Sequence, residues 1–348
     1  MPVMKLGIIG SGSWATALAK ILTDNHVPIN WLVRNEKTIE HIVRRHHNPN
    51  YLSSAYFDTS LLNLSTDIRE VIQKSEVIII AVPSAYITST FGDLPRDIFR
   101  NKKVVSAVKG ILPGQNILLN DYLKESFQVS LNDYFTIMGP CHAEEIAAEK
   151  LSYLTFSGVD EERTSAIATH FKCDYLNTVI NNDVYGVQYA AVLKNIYALG
   201  AGIAHGLEYG DNFLSVLIAN SADEMAGFLQ KAGIRNIEIG VHEPGNNAAD
   251  SRKANYAASV YLGDLLVTCY SPYSRNRTFG NMIGKGYSVR ATQLEMNMVA
   301  EGYNASQCMY VINKEVLADM PIAETVYKIL WQQLSPGEGF KAMEHKLL

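Results

Sequence analysis

Apolar positions in the first half of the chain fall into short runs, separated by stretches in which apolar residues recur every three or four positions. The runs KLGIIG, PINWLVR, SEVIIIAV, KKVVSAV, DYFTIMG and SYLTFSG, with a further one in CDYLNTVI, are rich in β-branched residues and bounded by turn formers. They predict strands. ATALAKILTDN and GQNILLNDYLKES, which lie between them, carry helical spacing. Strands alternating with helices predict a mainly parallel sheet covered on both faces. IIIAV and VVSAV show no polar alternation, as central strands buried on both sides require. After about Asn182 the pattern changes to long helical periods, in the run around Lys194, in FLSVLIANSADEMAGFLQKAG and in ASQCMYVINKEVLADM. The expected division is an α/β domain over 1–183 and an all-α domain over 184–348, with the polar, turn-rich stretch 238–255 as an exposed loop.

One position breaks the helical pattern. In YAAVLKNIYALGAGI, Lys194 is in register with Val187, Ala190, Ala191, Tyr197, Ala198 and Ala201, so it interrupts an apolar stripe. An unpaired charge there is costly, which makes Lys194 a candidate for chemistry.

Composition narrows the classes. Charged residues make up 19% of the 348 residues and the formal net charge is −5, which argues against nucleic acid as the main partner. No stretch reaches the ~18 uncharged apolar residues of a membrane span. Cys141, Cys173, Cys269 and Cys308 are scattered, without a C-x-x-C pair. With no signal-peptide pattern at the N-terminus, they predict free thiols in the cytoplasm. The histidines show no metal-ligand spacing, so no metal is expected. The basic cluster RRHH at 44–47 reads as a solvated helix end.

The first strand runs into GSGSWATALAK, where Gly10, Gly12 and Ala15 form G-x-G-x-x-A. The first glycine permits a tight turn and the second lets backbone approach a pyrophosphate. The third small residue allows close helix–strand packing. The strand–turn–helix context makes this a Rossmann-like dinucleotide site. Such sites place an acidic residue at the end of the second strand when they take NAD. Here Arg34 and Asn35 stand there. A guanidinium at this point pairs with a 2′-phosphate, which leans the reading to NADPH; Glu36 keeps NADH open, and a solvated surface arginine is the alternative.

Ligands of open α/β sheets bind at the carboxyl ends of the strands. AVPS (81–84), AVKG (107–110) and MGPCHAEE (138–145) occupy such ends. Lys109 is a cation aimed at an anionic ligand, and Gly139-Pro140 forms a second ligand-facing turn. His142 reads equally as an acid–base group or a structural residue, and Glu144 and Glu145 suit the acidic first turn of a helix. In GDLLVTCYSPYSRNRTFG (263–280), Asp264 follows a glycine, and S-R-N-R sets two guanidiniums around an amide, a combination suited to phosphate.

GSGSWATALA, AVKGI, GPCHAEEIA, AAVLKNIYALGAGI with GLEYGDN, GDLLVTC, SPYSRNRTFG and VAEGYNAS occur in that order. Through them the chain resembles the bacterial NAD(P)-dependent glycerol-3-phosphate dehydrogenases from end to end. The resemblance implies reversible reduction of dihydroxyacetone phosphate to sn-glycerol 3-phosphate, supplying phospholipid synthesis; the apolar second domain is compatible with a homodimer. It implies Lys194 as general acid/base, Lys109 as a second lysine near substrate and nicotinamide, and Asp264 as their carboxylate partner. Ser274, Arg275 and Asn276 would hold the substrate phosphate, with Gly139, Cys141, Asn195 and Thr268 lining the same pocket. Gly10, Gly12, Ser13, Trp14, Arg34, Lys109, Ala143, Arg275, Val299 and Glu301 fall where the family contacts the dinucleotide. The chain departs from the family pattern at Ala15 (usually Gly), Cys141 (usually Ser) and Tyr261 (commonly Gly), and the 238–255 stretch is longer. The rival readings are a nucleotide-sugar or β-hydroxyacid dehydrogenase of the same architecture, and a non-catalytic dinucleotide sensor.

Overall fold

The computed structural model describes residues 4–234, 258–296 and 300–347. The expected loop at 238–255 and Val299 lie outside the described residues. The chain divides into two compact units. One comprises the described residues to Val108 with Ile117–Val184, the other Lys109–Asn116 with those from Tyr185 onward.

The first unit holds eight strands: β1 Leu6–Ile9, β2 Ile29–Leu32, β3 Leu62–Ser65, β4 Val77–Ile80, β5 Lys103–Ser106, β6 Tyr134–Met138, β7 Ser152–Ser157 and β8 Leu176–Asn181. They form one sheet in the order β3-β2-β1-β4-β5-β6-β7-β8. Every pairing is parallel except β6 with β7. The mainly parallel Rossmann-like sheet is as expected. Two features depart from the sequence reading. β3 was not expected, because an edge strand with two half-buried leucines, an exposed asparagine and a single buried serine carries no buried run. The antiparallel turn between β6 and β7 is also new, since apolar pattern reports burial and not direction.

β1 and β4 are buried throughout, and the helix α1 (Ser13–Asp24) packs its Ala15, Leu18 and Leu22 into the same core as Leu6, Ile8 and Ile79. The chain leaves β1 toward β2 and β3, then returns to β4 on β1's other side. The carboxyl ends of β1 and β4 are therefore the topological switch point, where an open α/β sheet binds its ligand. Next come α2 (Glu36–Arg45), which follows Arg34, and the short α3 (Ala143–Ala147), which follows β6.

The second unit is helical, as the long periods predict: α4 Val184–Gly206, α5 Asp211–Lys231, α6 Asp264–Tyr270, α7 Arg275–Gly284, α8 Glu301–Val316 and α9 Pro321–Trp331. α4 crosses α7 with backbones in contact. A Cβ on Gly202 would lie 2.1 Å from the Arg277 carbonyl oxygen, and one on Gly280 would lie 2.1 Å from that of Leu199. Gly206 and Gly284 repeat the contact one turn on, where a Cβ on either would lie 2.4 Å from a carbonyl oxygen of the other helix. These two G-x-x-x-G pairs seat the second half of α7 on the last turns of α4, and Asn276 at the start of α7 reaches Asn195 in the middle of α4. Farther along, the buried carboxyl of Glu224 on α5 accepts from the N–H groups of Ile322 (2.7 Å) and Ala323 (3.0 Å), satisfying the first turn of α9. Among the described residues no helix is long and apolar enough to cross a membrane.

Candidate active site

Lys194 lies in the middle of α4 and is 3% exposed. Its ammonium donates to Oδ1 of Asp264, the first residue of α6 and itself 1% exposed. A π-helical turn, Ala258–Gly263, leads directly into Asp264; such turns interrupt regular helix frequently at functional sites. Burial pulls the Lys194 pKa down, Asp264 pushes it back, and Lys109 lowers it again, leaving it at about 8. The other carboxylate oxygen, Asp264 Oδ2, is buried and has no hydrogen-bond partner among the described residues. Left so, an acceptor costs free energy; a substrate hydroxyl would satisfy it.

A second buried lysine shows how unusual this is. Lys20 in α1 is 5% exposed, but it donates to Asp24 (2.7 Å) and Glu149 (3.0 Å). Burial again opposes its charge, yet the two carboxylates overcome it and its pKa is raised. Lys20 is a fully paired structural cation, whereas Lys194 has one carboxylate and faces a second lysine. Perturbation toward neutrality by burial and a specific charge makes Lys194 a candidate acid or base.

Around Lys194 a chain of amides fixes the backbone. Asn195 Nδ2 donates to the carbonyl of Lys109 (2.9 Å), Asn276 Nδ2 donates to Asn195 Oδ1 (2.9 Å), and the Gly302 N–H donates to Asn276 Oδ1 (2.9 Å). Gly302 is needed for this approach, because a Cβ there would lie 2.5 Å from the Asn195 carbonyl oxygen. The relay ties Lys109, α4, α7 and the turn carrying Glu301 into one frame. The Thr268 hydroxyl, one turn beyond Asp264, donates to the Asp264 carbonyl (2.6 Å). Ser274 caps α7 by accepting from the Arg277 N–H (3.3 Å), and the exposed Arg275 follows it at the first position of the helix. Thus Lys109, Lys194, Asn195, Asp264, Thr268, Ser274, Arg275, Asn276 and Glu301 all belong to the second unit. The amide relay and the glycine pairs escaped sequence reasoning; only the repeated G-x-x-x-G spacing could have signalled the latter.

Gly10, Gly12, Ser13, Trp14, Arg34, Gly139, Cys141 and Ala143 belong to the first unit. Gly10 adopts φ +125°, and a Cβ on it would lie 2.6 Å from the Ala81 carbonyl oxygen at the end of β4. Among the described residues a Cβ on Gly12 would meet nothing within 4 Å, and no side chain caps the N-terminus of α1, so open space faces its start. Uncapped N–H groups beside a space that glycine keeps clear suit a pyrophosphate. Ser13 and Trp14 open α1, and Ala143 opens α3 after His142, whose side chain does not cap that helix. Gly139 adopts φ +119° against the Tyr153 carbonyl, and Cys141 beside it is buried. Arg34 is exposed and has no ion-pair partner among the described residues, while Asn35 caps α2 and Glu36 accepts from the Thr66 hydroxyl (2.9 Å). No group of three or more His, Cys, Asp or Glu among the described residues could hold a metal ion.

The family models for the N-terminus and C-terminus of NAD-dependent glycerol-3-phosphate dehydrogenase match residues 5–164 and 183–341. The glycerol-3-phosphate dehydrogenase [NAD(P)+] of a Thermoanaerobacter species is 32% identical over 97% of this chain and 95% of its own. Among solved structures, the glycerol-3-phosphate dehydrogenase of Coxiella burnetii superposes with a TM-score of 0.85 at 22% identity, over 98% of this chain and 99% of that one. A D-mandelate dehydrogenase shares the fold more distantly, with a TM-score of 0.57 at 12% identity over 95% and 98% of the two chains. The chain belongs to the NAD-dependent glycerol-3-phosphate dehydrogenase family.

Proposed function

We propose that this protein catalyses the reversible NAD(P)-dependent reduction of dihydroxyacetone phosphate to sn-glycerol 3-phosphate, a precursor for phospholipid synthesis. The observation that carries the reading is Lys194: buried, bonded to Asp264, beside Lys109, and pushed down to about 8. A nicotinamide held by the dinucleotide site would supply hydride to C2 of the ketone. Lys194 then gives its proton to the carbonyl oxygen on which negative charge develops, and takes a proton from the C2 hydroxyl in the reverse direction. Asp264 holds the ammonium in place and offers its second oxygen to a substrate hydroxyl. Lys109 adds positive charge beside the developing oxyanion. Arg275 and Ser274, with Thr268, Asn195 and Asn276 nearby, grip the phosphate away from the reacting carbon and orient the ketone. Gly139 and Cys141 complete the substrate wall. Gly10, Gly12, Ser13, Trp14, Arg34, Lys109, Ala143, Arg275 and Glu301 hold the dinucleotide, with Arg34 favouring NADPH.

The same proposal includes a homodimer and a cytoplasmic location. Exposed Val216, Leu266 and Tyr270 on the helical unit support the first, and four free cysteines support the second. The nucleotide-sugar alternative needs a nucleophilic thiolate, and Cys269 is the cysteine suited by position. Burial pushes its thiol up to about 12, despite Lys194 and Arg277, so it stays protonated at neutral pH.

The test is Lys194→Met, assayed with dihydroxyacetone phosphate and NADPH. Turnover is abolished while NADPH binding is retained. A variant that keeps a tenth of the wild-type kcat refutes the role, and wild-type protein inactive on this substrate refutes the activity.

A further inference from the structure

The dinucleotide turn is held from beneath by residues that the family reading does not use. The indole Nε1 of Trp31, fully buried on β2, donates to the Gly10 carbonyl (2.7 Å). Asn48, 1% exposed and beyond the end of α2, donates through Nδ2 to the Ser11 carbonyl (3.3 Å) and to the Thr16 hydroxyl (2.9 Å). The Gly12 carbonyl accepts both the Thr16 N–H (2.9 Å) and the Thr16 hydroxyl (2.8 Å). Three successive carbonyls are therefore each engaged by a buried side chain.

The consequence follows from peptide geometry. In a planar trans peptide the C=O of one residue and the N–H of the next point in opposite directions. Fixing the carbonyls of Gly10, Ser11 and Gly12 inward aims the N–H groups of Ser11, Gly12 and Ser13 outward together. The space beside Gly12 lies on this same turn. A glycine-rich turn is otherwise free to flip its peptide planes, because glycine accepts both signs of φ; each flip would present a carbonyl dipole to an anion.

We propose that Trp31 and Asn48 are positioning residues for the dinucleotide pyrophosphate: they lock the peptide planes of Gly10–Gly12 so that three N–H donors converge on it. The inference rests on the family reading of a dinucleotide site. Trp31 makes its bond across 21 residues and Asn48 across 37, so the clamp is a tertiary device and not part of the local turn.

The experiment titrates full-length Trp31→Phe and Asn48→Ala with ADP-ribose, which carries the pyrophosphate, and with adenosine, which does not. Loss of pre-organisation raises the Kd for ADP-ribose about five- to tenfold in each variant, with adenosine binding unchanged and kcat preserved at saturating cofactor. Phenylalanine retains most of the buried indole volume, and if Trp31→Phe fails to fold, Asn48→Ala decides. Equal weakening of both ligands, or no weakening of ADP-ribose, overturns the clamp. Wild-type protein that binds neither ADP-ribose nor NADPH would instead overturn the dinucleotide reading itself.

Discussion

Asp264→Asn tests whether Lys194 is tuned as the geometry requires. The amide keeps the shape of the side chain and removes its charge. In the wild type the lysine is set at about 8 chiefly by burial, the Asp264 charge and hydrogen bond, and Lys109. Removing one partner of a buried ion pair costs about 3–5 kcal/mol. A lysine escapes that cost by surrendering its proton. One pKa unit corresponds to about 1.4 kcal/mol, so an escape of even ~2.7 kcal/mol moves the protonation midpoint down two units, to near pH 6. At pH 7 the wild-type lysine is then about nine-tenths protonated and the variant's about one-tenth.

The assay follows initial rates of dihydroxyacetone phosphate reduction at saturating NADPH between pH 5 and 9, with glycerol 3-phosphate oxidation measured in parallel. Reduction consumes the ammonium, so the wild-type rate declines as pH rises through about 8; oxidation needs the neutral amine and rises through the same pH. In Asp264→Asn the reductive rate at pH 7 falls about tenfold from loss of the proton alone, and recovers toward pH 5. A variant whose reductive limb still breaks near 8, or whose loss acid does not restore, refutes the tuning. Asp264 would then serve only to bind substrate.

Three further outcomes are expected. Arg34→Asp lowers the NADPH-to-NADH ratio of kcat/KM at least about tenfold, since a carboxylate repels the 2′-phosphate and accepts from ribose hydroxyls; an unchanged ratio means that Arg34 does not meet the cofactor. Glu224 is held up at about 8 by burial, against two backbone N–H groups that favour the carboxylate. The folded chain therefore keeps a proton that the unfolded chain releases near 4.5, and the stability linked to it is complete below that pH and lost as pH rises to about 8. Glu224→Gln flattens this slope, worth at most about 5 kcal/mol, in urea titrations at pH 5 and 8; an unaltered slope assigns it elsewhere. Gly280→Ala places a methyl 2.1 Å from the Leu199 carbonyl oxygen, so it destabilises by more than the ~1–3 kcal/mol of ordinary overpacking. It also raises the KM for phosphorylated substrate by pushing the start of α7 off α4; a thermal melt and KM both at wild-type values refute the close crossing.

What could be read from the chain was whatever burial periodicity and local turn chemistry encode. The central strands, the long helices and the glycine turn belong to this class, and each takes its form from neighbouring residues. β3 was invisible because Leu62–Ser65 becomes a strand through its pairing with β2, not through an apolar run of its own. Asn276 shows the same limit within the site. Its setting among two arginines and a serine reads as a phosphate ligand, yet its amide also bonds Asn195 and Gly302, 81 and 26 residues away. No local pattern announces such a link, because either asparagine alone is an ordinary polar residue.

Lys20 and Lys194 carry that argument to function. Both interrupt apolar helical runs, ATALAKILTDN and YAAVLKNIYALGAGI, and both end almost fully buried. A charge in an apolar stripe therefore signals only that the fold must compensate it. Lys20 meets two carboxylates and Asp24 also accepts from the Tyr175 hydroxyl (2.6 Å), so the group is closed and its proton is held more tightly than in water. Among the described residues Lys194 meets one carboxylate, a second lysine and a carboxylate oxygen left without a partner, so the group is open and its proton is held less tightly. Incomplete compensation costs stability, and a fold that needed only packing would place a leucine there. In the proposed mechanism the shortfall at Lys194 is what an incoming ketone and hydroxyl complete, and it separates the lysine proposed as catalytic from the structural one.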